Sequence, residues 1–189
     1  MMCCVFATGL LLVNPTEAFA QNRAEIAERE WRVKAEFLYH LLHYVQFPTP
    51  KKKGVKSVIG IYGAYPHSRL KSRLTELAAA STRSGFPLEF AQFDSIKDYK
   101  PCDVLFVSPR GRRGQTLETR WAAAVEKTKG KPVVIVTDSP GFALKEGVAV
   151  NMRVAQNRVR LDLNQGNAAD RGLKFDSRLL GLTVVTIVK

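Results

Sequence analysis

Four short apolar runs, interleaved with helical stretches, most constrain what this chain can fold into. They are Ser57 to Tyr62, Phe86 to Phe93, Cys102 to Val107 and Pro132 to Thr137. Each is short enough for a strand and too short for a buried helix. Cys102 to Val107 and Pro132 to Thr137 are apolar almost without a break, the pattern of central strands buried on both faces. Between the runs, Pro66 to Ala80 places Leu70, Leu74 and Leu77 on one helical face, and Gln115 to Lys127 does the same with Leu117, Trp121, Ala124 and Val125. Strand and helix in alternation give βαβ units and a mainly parallel sheet. The expected class is a three-layer α/β single domain with helices flanking the sheet.

The two ends of the chain differ from this middle. Val148 to Ala155 and Arg158 to Leu163 both alternate, and only Gln156-Asn157 separates them. A two-residue connection implies a hairpin, hence antiparallel strands at one edge. Asn164 is suited to cap a short helix over Gln165 to Arg171, with Gly172 ending it, and Leu182 to Val188 reads as a last strand. Ahead of the sheet, Glu30 to Pro48 carries Val33, Phe37, Leu38, Leu41, Leu42 and Val45 at spacings of three and four. That is a core-facing helix, stopped by Pro48, which lacks an amide hydrogen and biases Phe47 out of the helix. Its stripe reads as scaffold, so recognition is to be sought on its polar face and in the strand-end loops.

Val5 to Val13 is apolar but too short to span a bilayer, and Ala18-Phe19-Ala20 has small residues where a leader is cut. Residues 1–20 are therefore expected to be a signal peptide and residues 21–189 the exported domain, although no Lys or Arg precedes the apolar run. The alternative is a buried N-terminal strand. Cys3 and Cys4 would leave with the leader. Cys102 would then have no intramolecular partner and is expected to be buried and inert.

The net charge is +12, and loss of a leader carrying only Glu17 makes it one unit more positive. An exported basic protein meets acidic proteins, anionic lipid headgroups and cell-wall polymers rather than nucleic acid. Lys51-Lys52-Lys53 forms one basic block; Arg110, Arg112 and Arg113 form another. Neither is interleaved with aromatics as a single-strand groove would be.

No catalytic set assembles, so an enzyme is not expected, nor a cofactor. His40, His43 and Glu36 share helical spacing, but nothing completes a metal site. Ser68-Arg-Leu-Lys71 has acyl-enzyme spacing without the companion motifs. Gly111-Arg-Arg-Gly114 is a solvated basic turn, or an anion site formed by Arg112 and Arg113 before a helix N-terminus. Asp138-Ser139-Pro140-Gly141-Phe142 is turn chemistry, with Phe142 either tucked under the sheet edge or offered to a partner. Gly63, Ser108 and Asp138 all end strands, where parallel sheets bind ligands. A ligand or partner crevice formed by Gly63, Ser108, Arg112, Arg113, Asp138, Ser139 and Phe142 is the candidate site.

Four blocks together resemble the YfiR-like family, or DUF4154-type domain. They are Glu30-Trp-Arg-Val-Lys-Ala-Glu-Phe-Leu-Tyr39; Cys102-Asp-Val-Leu-Phe-Val-Ser108; Val133-Val-Ile-Val-Thr-Asp-Ser-Pro-Gly-Phe142; and Asn157-Arg-Val-Arg-Leu-Asp-Leu-Asn164 with Ala168 to Leu180. The resemblance implies a periplasmic regulatory binding protein that represses a membrane-bound diguanylate cyclase by binding its periplasmic part. Relief would come from an OmpA-like outer-membrane lipoprotein, and the protein would form a homodimer. Cyclic-di-GMP output and biofilm formation would be controlled without contact with the nucleotide. The single mature cysteine departs from the disulfide-stapled pattern of the family. A receptor for an anionic small molecule or envelope polymer is the alternative.

Overall fold

The interleaved apolar runs form four consecutive strands, from one edge inward, of a seven-stranded sheet. The computed structural model describes residues 15–49, 51–52 and 54–189. β2 (Ser57–Tyr62), β3 (Leu88–Phe93), β4 (Val104–Val107), β5 (Val134–Thr137) and β6 (Val150–Ala155) are mutually parallel, in the spatial order β3-β2-β4-β5-β6. β7 (Arg158–Asn164) returns antiparallel to β6, and β9 (Val185–Val188) lies outside β7, parallel to it. The expected hairpin is therefore present, with a further strand on its outer side. Gln156 and Asn157 hold φ of 52° and 56°, the left-handed pair that a two-residue turn of this twist requires.

Side-chain alternation divides the core in two. Ile59, Ile61, Val104, Phe106, Val134 and Val136 face α1 (Pro15–Tyr44) and α2 (Ser68–Arg83). Tyr62, Leu105, Val107 and Ile135 face α3 (Leu117–Lys127) and the turn Ile96–Asp98. Strands buried on both faces need no polar side, which is why these runs are continuously apolar. Two short helices, α4 (Gln165–Ala169) and α5 (Ser177–Leu180), follow β7. Asn164 caps α4 as expected, its Oδ1 accepting the Asn167 N–H at 2.9 Å.

The opening helix departs from expectation at both ends. It begins at Pro15 and runs through Ala20, whereas the apolar stretch Val5 to Val13 lies outside the described residues. It ends at Tyr44, before Pro48, because Val45–Gln46 forms β1, paired antiparallel with β8 (Lys174–Phe175). The Asp176 N–H donates to the Tyr44 carbonyl at 2.8 Å. A tertiary pairing thus stops the helix before its proline can. None of the described helices is long and apolar enough to cross a membrane.

Candidate functional site

The strand-end crevice expected from the sequence is filled at Gly63 and Ser108, while Arg112 lines an open hollow of about 420 Å³ with Gln92, Asp94, Asp98 and Lys100 at the end of β3. β2 lies between β3 and β4, so the switch in strand order falls at Gly63 and Ser108. There the backbone closes on itself: the Ala64 N–H donates to the Arg110 carbonyl at 3.0 Å, and a Cβ on Gly63 would meet that carbonyl oxygen at 2.4 Å. Gly63 (φ 107°) is the residue type this approach demands. Ser108 is fully buried, donating from Oγ to the Ala64 carbonyl at 2.6 Å and accepting the Arg110 N–H at 3.1 Å.

Arg120 of α3 plugs the remaining space. Only 1 % of it is exposed, and its guanidinium donates to the carbonyls of Ser108 (2.7 Å) and Gln115 (2.8 Å). Burial lowers its pKa. A Cβ on Gly111 would fall 1.7 Å from Nη1, so Gly111 is where the turn yields to the arginine. Sequence reading missed Arg120. The available signal was its place three residues after Leu117 and four before Ala124, on a face expected to point inward.

The basic turn remains outside this plug. Arg112 and Arg113 are exposed, with Arg112 Nε 3.7 Å from Asp94. The first turn of α3 is capped by Thr116, whose Oγ1 accepts the Thr119 N–H at 3.2 Å, and the two arginines do not converge on it.

Asp138 faces a different element altogether. It accepts from Lys34 Nζ at 2.8 Å, and Lys34 also bonds Glu30 one turn earlier. The ammonium stands 4.3 Å from the Trp31 ring centroid and is 1 % exposed as a residue. Burial raises the Asp138 pKa, against the pull of Lys34. The residues Glu30, Trp31 and Lys34 of the first block and Asp138 of the third therefore meet in one charged cluster joining α1 to the end of β5. Next to it, Asn151 Oδ1 accepts from Thr137 Oγ1 at 2.8 Å and from the Ser139 N–H at 3.2 Å. Phe142 is tucked in, 5 % exposed and edge-on to Trp121 at 6.2 Å between centroids. Gly63, Ser108, Asp138, Ser139 and Phe142 thus all line the same pole of the sheet, as packed interior or turn.

The other motifs weighed earlier resolve as surface or core. Among the described residues no group of three or more His, Cys, Asp or Glu side chains is placed to hold a metal. Ser68 begins α2 behind a His67 cap, and Lys71 lies over the Tyr65 ring. Cys102 packs near the Tyr99 hydroxyl at 4.0 Å, and burial pushes its thiol up to about 11, leaving it protonated and unreactive at neutral pH.

Open surface lies on the α1 face of the hairpin. Ile26, Val33 and Phe37 of α1, Val154 and Val159 of the hairpin, and Val184 line a groove of about 460 Å³. Ile26 and Val154 are 45 % and 46 % exposed. Phe37 also lines a second groove of about 220 Å³ with Leu161, Leu179 and Leu182, so the two adjoin at its ring. Ile187 of β9 extends the strip at 48 % exposure, and β9 is the last strand of its sheet. Arg29, Glu30, Asn157 and Arg158 form the rim. Val33 and Phe37, expected as scaffold, are half-buried walls of this groove.

The profile of the YfiR/HmsC-like family (DUF4154) matches residues 31–184. No curated protein matches the chain. A conserved domain protein from Vibrio cholerae O1 biovar El Tor is 14 % identical, with a TM-score of 0.50 over 84 % of this chain and 60 % of that one. An ABC domain in complex with L-Trp from Streptococcus pneumonia is 10 % identical, with a TM-score of 0.48 over 70 % and 56 % of the two chains. This chain thus spans less than two thirds of either solved chain, and the Vibrio likeness concerns the fold alone. The family match spans the second half of α1, the parallel strands β2 to β6 and the hairpin, and the chain belongs to the YfiR/HmsC-like family.

Proposed function

We propose that this chain is a periplasmic regulatory binding protein that represses a membrane-bound diguanylate cyclase by docking on its periplasmic part. Family membership supports the regulatory role, and the observation that carries the docking reading is the apolar strip between α1 and the hairpin. Three of its exposed side chains, Ile26, Val154 and Ile187, are each close to half exposed, and burying such a side chain fully contributes about 1.5–3 kcal/mol. Contiguous patches of this kind mark protein interaction sites. In this reading residues 1–20 are the leader, residues 21–189 act as a homodimer, and an OmpA-like outer-membrane lipoprotein competes for the regulator. Arg112 and Arg113, exposed beside the end of β3, would meet acidic partner surfaces. No catalytic step is assigned.

Co-purification from membranes tests the reading. A tagged chain should recover a membrane cyclase, and the paired change Ile26→Glu and Val154→Glu should abolish recovery without unfolding the protein. Recovery of no membrane signalling protein by the unaltered chain would defeat it.

A further inference from the structure

The Lys51-Lys52 block has no part in the docking strip. It borders a separate cleft of about 460 Å³ at the amino-terminal pole of the sheet, opposite the pole that Arg120 fills. Leu42, Val45, Phe47, Val55, Phe86 and Leu88 supply its apolar lining, and Lys51, Lys52 and Asp103 its charged groups. Tyr39 and His43 hold each other edge-on at 4.9 Å and 71° on the α1 side. Val55 and Phe86 are each 50 % exposed at the mouth. This is the size and lining of a small-molecule site: mostly apolar, with a few placed polar groups.

The charges at the mouth are unequal in their commitments. Asp103 accepts the Val58 N–H at 2.7 Å and Lys51 at 2.5 Å, and Lys51 also donates to the Lys56 carbonyl at 2.7 Å. Among the described residues no carboxylate pairs with Lys52. Helix carboxyl ends would ordinarily make this pole negative. Here several of those carbonyls are hydrogen-bonded: Tyr44 O takes the Asp176 N–H, and the carbonyls of Ala80, Ser81 and Thr82 take the N–H groups of Ser84, Phe86 and Gly85. His43 adds no charge at neutral pH, because burial and the neighbouring His40 lower its pKa. The balance at the rim is therefore positive, above an apolar floor.

We infer that this cleft binds a small amphipathic anion, a carboxylate on an aromatic or medium-length aliphatic body, with the body against Phe47 and Phe86 and the carboxylate at Lys52. The site is independent of the docking strip and does not rest on the repressor reading.

Decanoate and decanol serve as matched probes, with and without the charge, in calorimetric titration and amide-shift mapping of the full chain. Decanoate should bind about tenfold tighter than decanol, as one charged hydrogen bond allows, with shifts centred on Leu42, Phe47, Val55 and Phe86. Lys52→Glu should erase that preference and leave decanol binding unchanged; Phe86→Ser should weaken both probes. Both changed residues are exposed, and circular dichroism checks that each variant folds. Equal affinities, shifts centred on Ile26 and Val154, or no binding of decanoate would each overturn the inference.

Discussion

Lys34 carries its charge at 1 % exposure, held by Asp138, Glu30 and the face of Trp31. Breaking a buried pair strands the survivor in the interior and costs about 3–5 kcal/mol, while replacing both partners with apolar groups is often neutral or better. The raised Asp138 pKa agrees: its charge is harder to keep in the folded state than outside it. Lys34→Met and Asp138→Leu are therefore each expected to lower the urea midpoint sharply, and the double variant to recover much of the loss. Additive losses would contradict a direct pair. The sequence offered Glu30, Lys34 and Asp138 but not the meeting of Lys34 with Asp138, since contact between two distant motifs depends on how α1 lies on the sheet. Lys34 was nonetheless in register with Leu38 and Leu41, four and seven residues on, which is a position inside the stripe rather than opposite it.

Asp176 shows the opposite sign. Its carboxylate accepts the Arg178 N–H and the Arg178 guanidinium, which together hold its pKa down at about 2, below the ordinary 3.8. A carboxyl depressed in the folded state contributes stability above the unfolded pKa and loses it as pH falls through the folded one. Asp176→Asn is expected to be less stable than the unaltered chain at pH 5, with the difference closing between pH 3.8 and about 2. Chemical denaturation at a series of pH values checks this.

Among the elements, those whose rules are local were legible. The parallel strands followed from continuous apolar runs, α2 and α3 from their spacing, and the hairpin from a two-residue gap. Gln156 and Asn157 nevertheless stand in the left-handed region, which disfavours side chains by about 1–2 kcal/mol per residue, least for Asn. Asn157→Gly should therefore raise the melting temperature, by about 0.5–1 kcal/mol of added stability. A fall would mean the asparagine side chain contributes more than its backbone strain removes. What escaped the sequence was set by distant partners. α1 stops at Tyr44 because β8 pairs with Val45–Gln46, and the space between Gly63 and Ser108 is closed because an arginine from α3 occupies it.

For the whole molecule, the two faces of the sheet are treated differently toward the β9 side. α1 covers the hairpin strands only in part, leaving Ile26, Val154, Leu182 and Ile187 in the open. Changes there remove little internal packing, so Ile26→Glu with Val154→Glu should leave the unfolding free energy from urea denaturation within about 0.5 kcal/mol of the unaltered value for each change. A large destabilisation would mean the strip is internal packing rather than a docking face. The candidate site expected from the sequence drew on a general rule about parallel sheets. The apolar strip and the amino-terminal cleft lie away from Gly63 and Ser108 because filling by Arg120 and partial covering by α1 are properties of the assembled chain.

The small sheet of β1 and β8 bears on the order of assembly. Val45 leaves the opening helix early in the chain but pairs with Phe175, close to its end. Leu38 and Leu41 likewise share their core with Leu161, Leu163 and Leu173. A chain emerging from its N-terminus carries a finished amphipathic helix long before the residues that cover it exist. Contacts of such sequence separation are slow to form and leave apolar surface waiting. Holdase binding should therefore persist on the opening helix until β7 and β8 have been made, since α2 and the early strands cover only part of it.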